Sequence, residues 1–167
     1  MQCADAASFI AKLPDNCIDF AMTSPPYWSL RDYGVDGQIG LEPHPSQYVE
    51  TLALIFRDLR RVLKPSGSLF LNLGDTYGSR KGSCFHAGGG KNSLPPRAHR
   101  LLTRDKHPNR LLEPDRRWLQ PKQLLMIPAR VAIALQEDGW ILRNTIIWSK
   151  PNGLPASVKD RLANKYE

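Results

Sequence analysis

The chain has 167 residues, of which 41% are hydrophobic, and a formal net charge of +7 at pH 7. That length and apolar share suffice for one compact domain, residues 1–167, and leave no room for a second full one. No run of about 18 apolar residues and no basic-then-apolar leader occurs, so the chain reads as soluble and cytoplasmic with no membrane partner.

The three cysteines, Cys3, Cys17 and Cys84, are odd in number and widely spaced, and the four histidines are scattered. Neither a disulfide framework nor a metal site is expected from them.

In chain order, "CAD" ending at Asp5 precedes the amphipathic stretch "AASFIAKLPDN". Asp5 there suits a helix N-cap. Residues 17–24, "CIDFAMTS", form a compact apolar run that reads as a buried strand of parallel type. Pro25 and Pro26 lack amide donors and end it. Whatever follows then sits at the strand's carboxyl end, where open α/β sheets place their ligands.

Residues 45–64, "PSQYVETLALIFRDLRRVLK", carry apolar side chains at Val49, Leu52, Ala53, Phe56, Leu59 and Leu63, close to a helical period. Ser46 is the expected N-cap, with Glu50 in the first turn, Arg60, Arg61 and Lys64 in the last, and "PSG" at 65–67 as the stop. "SLFLNLGD", residues 68–75, reads as a second strand, ending in Gly74 and Asp75. Asp75 then lies at the edge of the sheet, as a turn residue or facing the site.

A basic segment follows, about residues 79–120. Between 80 and 117 there are ten Lys or Arg, among them Arg80, Lys81, Lys91, Arg97, Arg100 and Arg104, against three acids. It contains "HAGGGKNSLPP" and has no periodicity, so it reads as a flexible loop that is either solvated or in contact with a polyanion. "GGGK" at 88–91 lacks the spacing and flanking elements of a phosphate loop. Residues 122–138 look helical, with Pro128 as a kink or as the true first turn, and Gly139 as the cap. Residues 140–150, "WILRNTIIWSK", are rich in β-formers. The alternation of strands and helices predicts an α/β fold with a mostly parallel sheet.

The tetrad Ser24, Pro25, Pro26 and Tyr27 carries its own chemistry. A stiff turn holding the Ser24 hydroxyl and the Pro25 carbonyl presents two acceptors, which match the two N–H groups of an exocyclic amine. Tyr27 can stack on the ring that bears that amine. The alternative is an ordinary strand terminator with Tyr27 and Trp28 in the core.

The blocks "TSPPYWSLRDYG", "QIGLEPHPSQYVETL", "LRRVLKPSGSLFLNLGDTYGS" and "LLMIPARVAIALQEDGWILRNTIIWSKPNGLPASVKDR" together resemble the amino-directed DNA methyltransferases of the permuted β arrangement. Members of that family move a methyl group from S-adenosylmethionine to cytosine N4 or adenine N6. The resemblance covers nearly the whole chain outside the basic loop. It implies a partial Rossmann-like S-adenosylmethionine-dependent methyltransferase fold, with flanking helices and a long basic loop.

It also implies Ser24, Pro25, Pro26 and Tyr27 as the catalytic motif, and Asp5, Thr23 and Ser24 near the cofactor. Double-stranded DNA is the implied partner, contacted by Arg80, Lys81, Lys91, Arg97, Arg100, Arg104 and Lys150. Trp148, in the same block as Lys150, either borders the DNA cleft or packs in the core. Serine at the first tetrad position resembles cytosine-N4 members more than adenine-N6 members, which more often carry aspartate. A prokaryotic or phage restriction–modification setting goes with this resemblance.

No cysteine stands in a proline–cysteine turn, as methylation of ring carbon 5 requires. Relatives also carry a glycine-rich Phe-x-Gly-x-Gly segment toward the C-terminus, and the 167 residues contain none. The expectation is therefore a truncated or split enzyme, completed by a complementing C-terminal half or a homodimer, with an inactive DNA-binding remnant as the alternative of another class.

Overall fold

A computed structural model describes residues 4–78, 120, 122–153 and 165–167. The elements in chain order are helix α1 (Ala6–Ile10), strand β1 (Ile18–Thr23), helix α2 (Pro45–Val62), strand β2 (Leu63–Leu71) and helix α3 (Ile127–Glu137). The two strands pair in parallel, with α2 as the crossover, so the α/β class and the parallel sheet both hold.

Helix α2 organises the core. Its buried residues, Pro45, Tyr48, Leu52, Phe56, Leu59 and Val62, recur every three or four positions and so form one stripe along the helix. Val131, Leu135, Ile127 and Leu125 meet them from the α3 side, and Trp28, Leu63 and Leu73 complete the cluster. Removing a side chain such as Phe56 from this cluster costs about 3–5 kcal/mol.

The cap of α2 lies earlier than the sequence indicates. His44, not Ser46, is the N-cap: its Nδ1 accepts from the Ser46 N–H at 3.2 Å, and Gln47 Oε1 accepts from the His44 N–H at 3.3 Å. The first turn contains no acid, so Glu50 does not act there, whereas Arg60 and Arg61 do occupy the last turn. A reciprocal side-chain and backbone cap of this kind satisfies two donors that the helix leaves open.

Pro65, Ser66 and Gly67 do not stop the helix, which has already ended at Val62. They lie inside β2 and distort it. Ile18 pairs with Leu63 and Phe20 with Ser68, so the chain bulges through 64–67 before regular pairing resumes from Ser68 to Leu71. A proline without a donor is tolerated at such a bulge.

Strand β1 is not buried on both faces as expected. Ala21 and Thr23 turn toward the core side, while Phe20 and Met22 are 52% and 75% exposed. Phe70 of β2, also exposed, places its ring centroid 5.4 Å from that of Phe20. The sheet therefore presents one apolar face that no described residue covers.

Pro128 falls in the first turn of α3, which runs 127–137 rather than 122–138, and Gly139 (φ 91°) follows its end. Residues 140–148 form no strand among the described residues. Ile141, Leu142, Ile146, Ile147 and Trp148 are all at least half exposed, so Trp148 is not a core residue. The stretch is followed by an isolated antiparallel bridge between Ser149 and Tyr166, and a second such bridge joins Tyr77 to Leu124. β-propensity alone does not make a strand when no neighbouring edge is present to receive it.

Candidate functional site

Strands β1 and β2 run the same way and end side by side, Thr23 opposite Leu71. The Asn72 N–H donates to the Thr23 carbonyl at 3.0 Å, which extends the pairing by one step. Two chain segments then leave the same sheet edge together, 24–29 from β1 and 72–75 from β2. The prolines do end β1 as expected.

Beyond Pro26 the chain is held firmly. The Tyr48 hydroxyl, on the buried stripe of α2, donates to the Pro26 carbonyl at 2.9 Å. Burial pushes the Tyr48 phenol well above its usual titration range. Trp28 is in the core, its indole N–H donating to the Glu42 carbonyl at 3.0 Å. Ser29 is fully buried in the left-handed region at φ 58°, and its N–H donates to the Gly40 carbonyl at 2.7 Å. A serine at such angles stores strain that the surrounding bonds must hold.

Tyr27 stands at the middle of the cluster. Its hydroxyl donates to Glu167 Oε2 at 2.9 Å, and Ser24 Oγ lies 3.5 Å from it. Glu167 in turn accepts from Asn72 Nδ2 at 3.4 Å and pairs with the Lys150 ammonium. Gly74 faces the ring so closely that a methyl there would meet Cε2 at 2.6 Å and Cδ2 at 2.7 Å. Ring edge and phenol are thus both constrained.

The electrostatics follow from these contacts. Desolvation raises the Tyr27 phenol above its ordinary value, a shift opposed by the Ser24 hydroxyl and reinforced by the Glu167 carboxylate. Burial pushes the Glu167 carboxyl upward, but the bonds from Lys150, Tyr27 and Asn72 outweigh it and hold the group below its ordinary value. An ionised Glu167 and a neutral Tyr27 are the stable pair at neutral pH.

Of the residues singled out from the sequence, Ser24, Pro26, Tyr27 and Lys150 are brought into one neighbourhood. Pro25 lies between Ser24 and the anchored Pro26, and Thr23 forms the end of β1. Lys150 is engaged with Glu167. Asp5 caps α1, with Oδ1 accepting from the Ser8 N–H at 2.9 Å, and its carboxyl lies below its ordinary value through these Ser8 bonds. Asp75 is turned to the start of α3 and to its own turn: Oδ1 accepts from the Ile127 and Thr76 N–H groups at 3.0 and 2.8 Å. Arg80, Lys81, Lys91, Arg97, Arg100 and Arg104 lie outside the described residues.

Sequence reasoning missed Tyr48, Asn72 and Glu167. Tyr48 was visible as an aromatic on the α2 stripe. Glu167 lies 140 positions from Tyr27, and no local pattern signals that pairing.

A family model described as DNA methylase matches residues 18–167. The chain belongs to this DNA methylase family. Type II methyltransferase M.SfiI of Streptomyces fimbriatus is 44% identical over 163 residues, which is 98% of this chain and 33% of that protein. Type II methyltransferase M.Cfr9I of Citrobacter freundii is 45% identical over the same length, 98% of this chain and 50% of that protein.

The chain thus spans about half or less of the length of these curated relatives. Among solved structures, a protein of Thermus thermophilus described as a DNA modification methylase, complexed with S-adenosyl-L-methionine, superposes with a TM-score of 0.55 at 19% identity. That superposition covers 97% of this methylase-family chain and 49% of the other, and it shows the shared α/β fold.

Proposed function

We propose that the chain is the catalytic part of a site-specific DNA methyltransferase that acts on the exocyclic amine of a flipped base, with cytosine N4 favoured over adenine N6. The observation that carries this reading is the joint placement of Ser24, the anchored Pro26 turn and Tyr27 at the carboxyl end of a parallel strand, inside a chain of the DNA methylase family. Its fold is then part of a Rossmann-like methyltransferase sheet, and its cofactor is S-adenosylmethionine.

The residues at the sheet edge fit such a ligand pair. Thr23 and Ser24 stand where parallel strands end, the position at which open α/β sheets bind ligands. They are the proposed neighbours of the cofactor, together with Asp5 at the start of α1. S-adenosylmethionine supplies an electrophilic methyl group when bound. The chain's own residues hold the acceptor.

The Ser24 hydroxyl is only weakly engaged at 3.5 Å, so it can turn to accept an amine N–H. The Pro26 carbonyl is committed to Tyr48, which leaves the Pro25 carbonyl as the second acceptor on the turn. Two acceptors fix the amine and draw its lone pair out of conjugation with the ring, while the Tyr27 ring limits where the base can lie. Positioning and fixed dipoles of this kind lower the barrier without a covalent intermediate.

The basic segment at 79–120 supplies the sequence-independent attraction to duplex DNA, and Lys150, paired with Glu167 beside Tyr27, adds a cation next to the tetrad. Phe20, Met22 and Phe70 form an apolar sheet face that suits a complementing part of the family fold, in agreement with the share of each relative that the chain spans. A DNA-binding module without catalysis is the competing reading, carried by the charge of the basic segment.

Methyl transfer from labelled S-adenosylmethionine to duplex DNA separates the two. The chain is assayed alone and co-expressed with the remaining half of the Citrobacter freundii relative, as wild type and as Tyr27→Ala. Transfer that Tyr27→Ala abolishes while DNA binding persists supports the enzyme. DNA binding with no transfer in either setting refutes it. Mass analysis of the nucleosides identifies N4-methylcytosine or N6-methyladenine.

A further inference from the structure

Glu167 is the residue in this neighbourhood whose contacts go beyond anything the tetrad requires. It receives the Tyr27 hydroxyl at 2.9 Å and the Asn72 amide at 3.4 Å, and it is clasped by the Lys150 ammonium. Its backbone is fixed as well: the Trp148 N–H donates to its carbonyl at 2.7 Å, and its own N–H donates to the Trp148 carbonyl at 3.0 Å.

A carboxylate so placed accepts from three donors on three different chain segments. One follows β1, one follows β2, and one adjoins the Ser149–Tyr166 bridge. Charge-assisted bonds are the strong class of hydrogen bond, and a phenol held at its oxygen cannot swing about the Cα–Cβ axis.

We propose that Glu167, braced by Lys150 and Asn72, is a positioning residue that fixes the Tyr27 ring beside Ser24. This rests on the reading of Tyr27 as part of the amine-methylating site, and it adds a carboxylate from a distant part of the chain. In this arrangement Gly74 sets how close the ring can lie to the β2 end, and Glu167 sets its rotation. The role of Lys150 is then to hold the carboxylate ionised and oriented.

Two other features of the molecule are of a different kind. The Arg61 guanidinium bonds the Leu13 and Ile10 carbonyls and the Asp15 carboxylate, which ties α1 to α2. The Arg57–Asp138 pair ties α2 to the end of α3. Both are fastenings of the fold.

The contact is tested on the full chain by ultraviolet difference titration of the tyrosines in wild type, Glu167→Gln and Tyr27→Phe. The band that Tyr27→Phe removes belongs to Tyr27. In Glu167→Gln that band is expected at lower pH, because the raising influence of the carboxylate is gone, while circular dichroism stays unchanged. Tyr27→Phe combined with Glu167→Gln is expected to titrate as Tyr27→Phe alone. In the methyl-transfer assay, Glu167→Gln is expected to lower the single-turnover rate by about tenfold with little change in KM for DNA.

An unshifted Tyr27 band in Glu167→Gln overturns the inference, as does an unchanged rate in an active enzyme. Absence of methyl transfer in the wild type counts against the proposed function, and the titration then decides the Glu167 contact by itself.

Discussion

Substitution of Gly74 by alanine isolates the placement of one ring. Non-bonded carbons in contact sit about 3.5–4.0 Å apart, whereas the added methyl would lie 2.6 Å from Tyr27 Cε2 and 2.7 Å from Cδ2. The ring or the β2 end must therefore yield by roughly 1 Å. The ring is poorly placed to give way, because its hydroxyl is bonded to Glu167 and its main-chain carbonyl accepts from Leu30 N at 3.3 Å.

Overpacking of this size costs about 1–3 kcal/mol, and for a chain of this length each kcal/mol lowers the melting midpoint by about 2–4 °C. A displacement of about 1 Å at a reacting centre costs on the order of a hundredfold in rate. The expected result for Gly74→Ala is thus a folded protein, several degrees less stable, whose single-turnover methyl transfer falls about a hundredfold while DNA affinity holds. In a Tyr27→Ala background the same substitution is expected to be nearly silent, since the clashing atoms are gone. A Gly74→Ala enzyme with wild-type rate and wild-type melting would refute the reasoning, because it would mean that the glycine does not set the ring's position.

Three further outcomes can be checked together. Tyr48→Phe removes the bond to the Pro26 carbonyl inside a fully buried setting. It is expected to cost about 1–2 kcal/mol, visible as a lower denaturant midpoint, with slower methyl transfer. Glu167 has a folded-state pKa below its ordinary value, so its stabilising contribution is complete above that ordinary value and fades as pH falls through the lower folded one. Glu167→Gln should accordingly flatten the acid limb of the stability–pH curve, seen by melting at a series of pH values; an identical acid limb would contradict the clasp. For the basic segment, replacing Arg97, Arg100 and Arg104 with alanine should flatten the log–log salt dependence of DNA affinity by about 0.9 for each phosphate no longer neutralised, measured by fluorescence anisotropy.

The local code of the chain was strong wherever chemistry and covalent geometry act within a few residues. Two prolines without amide donors had to end β1, and the three-to-four spacing of Leu52, Phe56 and Leu59 had to make one face of a helix. The order strand, helix, strand then favours a parallel pair, which β1 and β2 form. The tetrad from Ser24 to Tyr27 was legible for the same reason, since the stiffness of its turn is a property of the residues themselves.

Other features depended on which segments meet. Residues 140–148 have strand-forming side chains, yet among the described residues only Trp148 finds a backbone partner outside α3, in Glu167, and no strand forms. Pro65–Gly67 carries the composition of a turn and became a bulge, because β1 was available to keep pairing beyond it. His44 displaced Ser46 as the cap because its ring nitrogen and the Gln47 amide close on each other.

The joining of Ser24, Tyr27, Asn72, Lys150 and Glu167 was decided by tertiary structure alone. Residue identity determines what each side chain can donate or accept, but the bond between Tyr27 and Glu167 spans 140 residues. Only the packing of the β2 end and the 148–150 segment beside the β1 end brings that carboxylate within reach of the phenol.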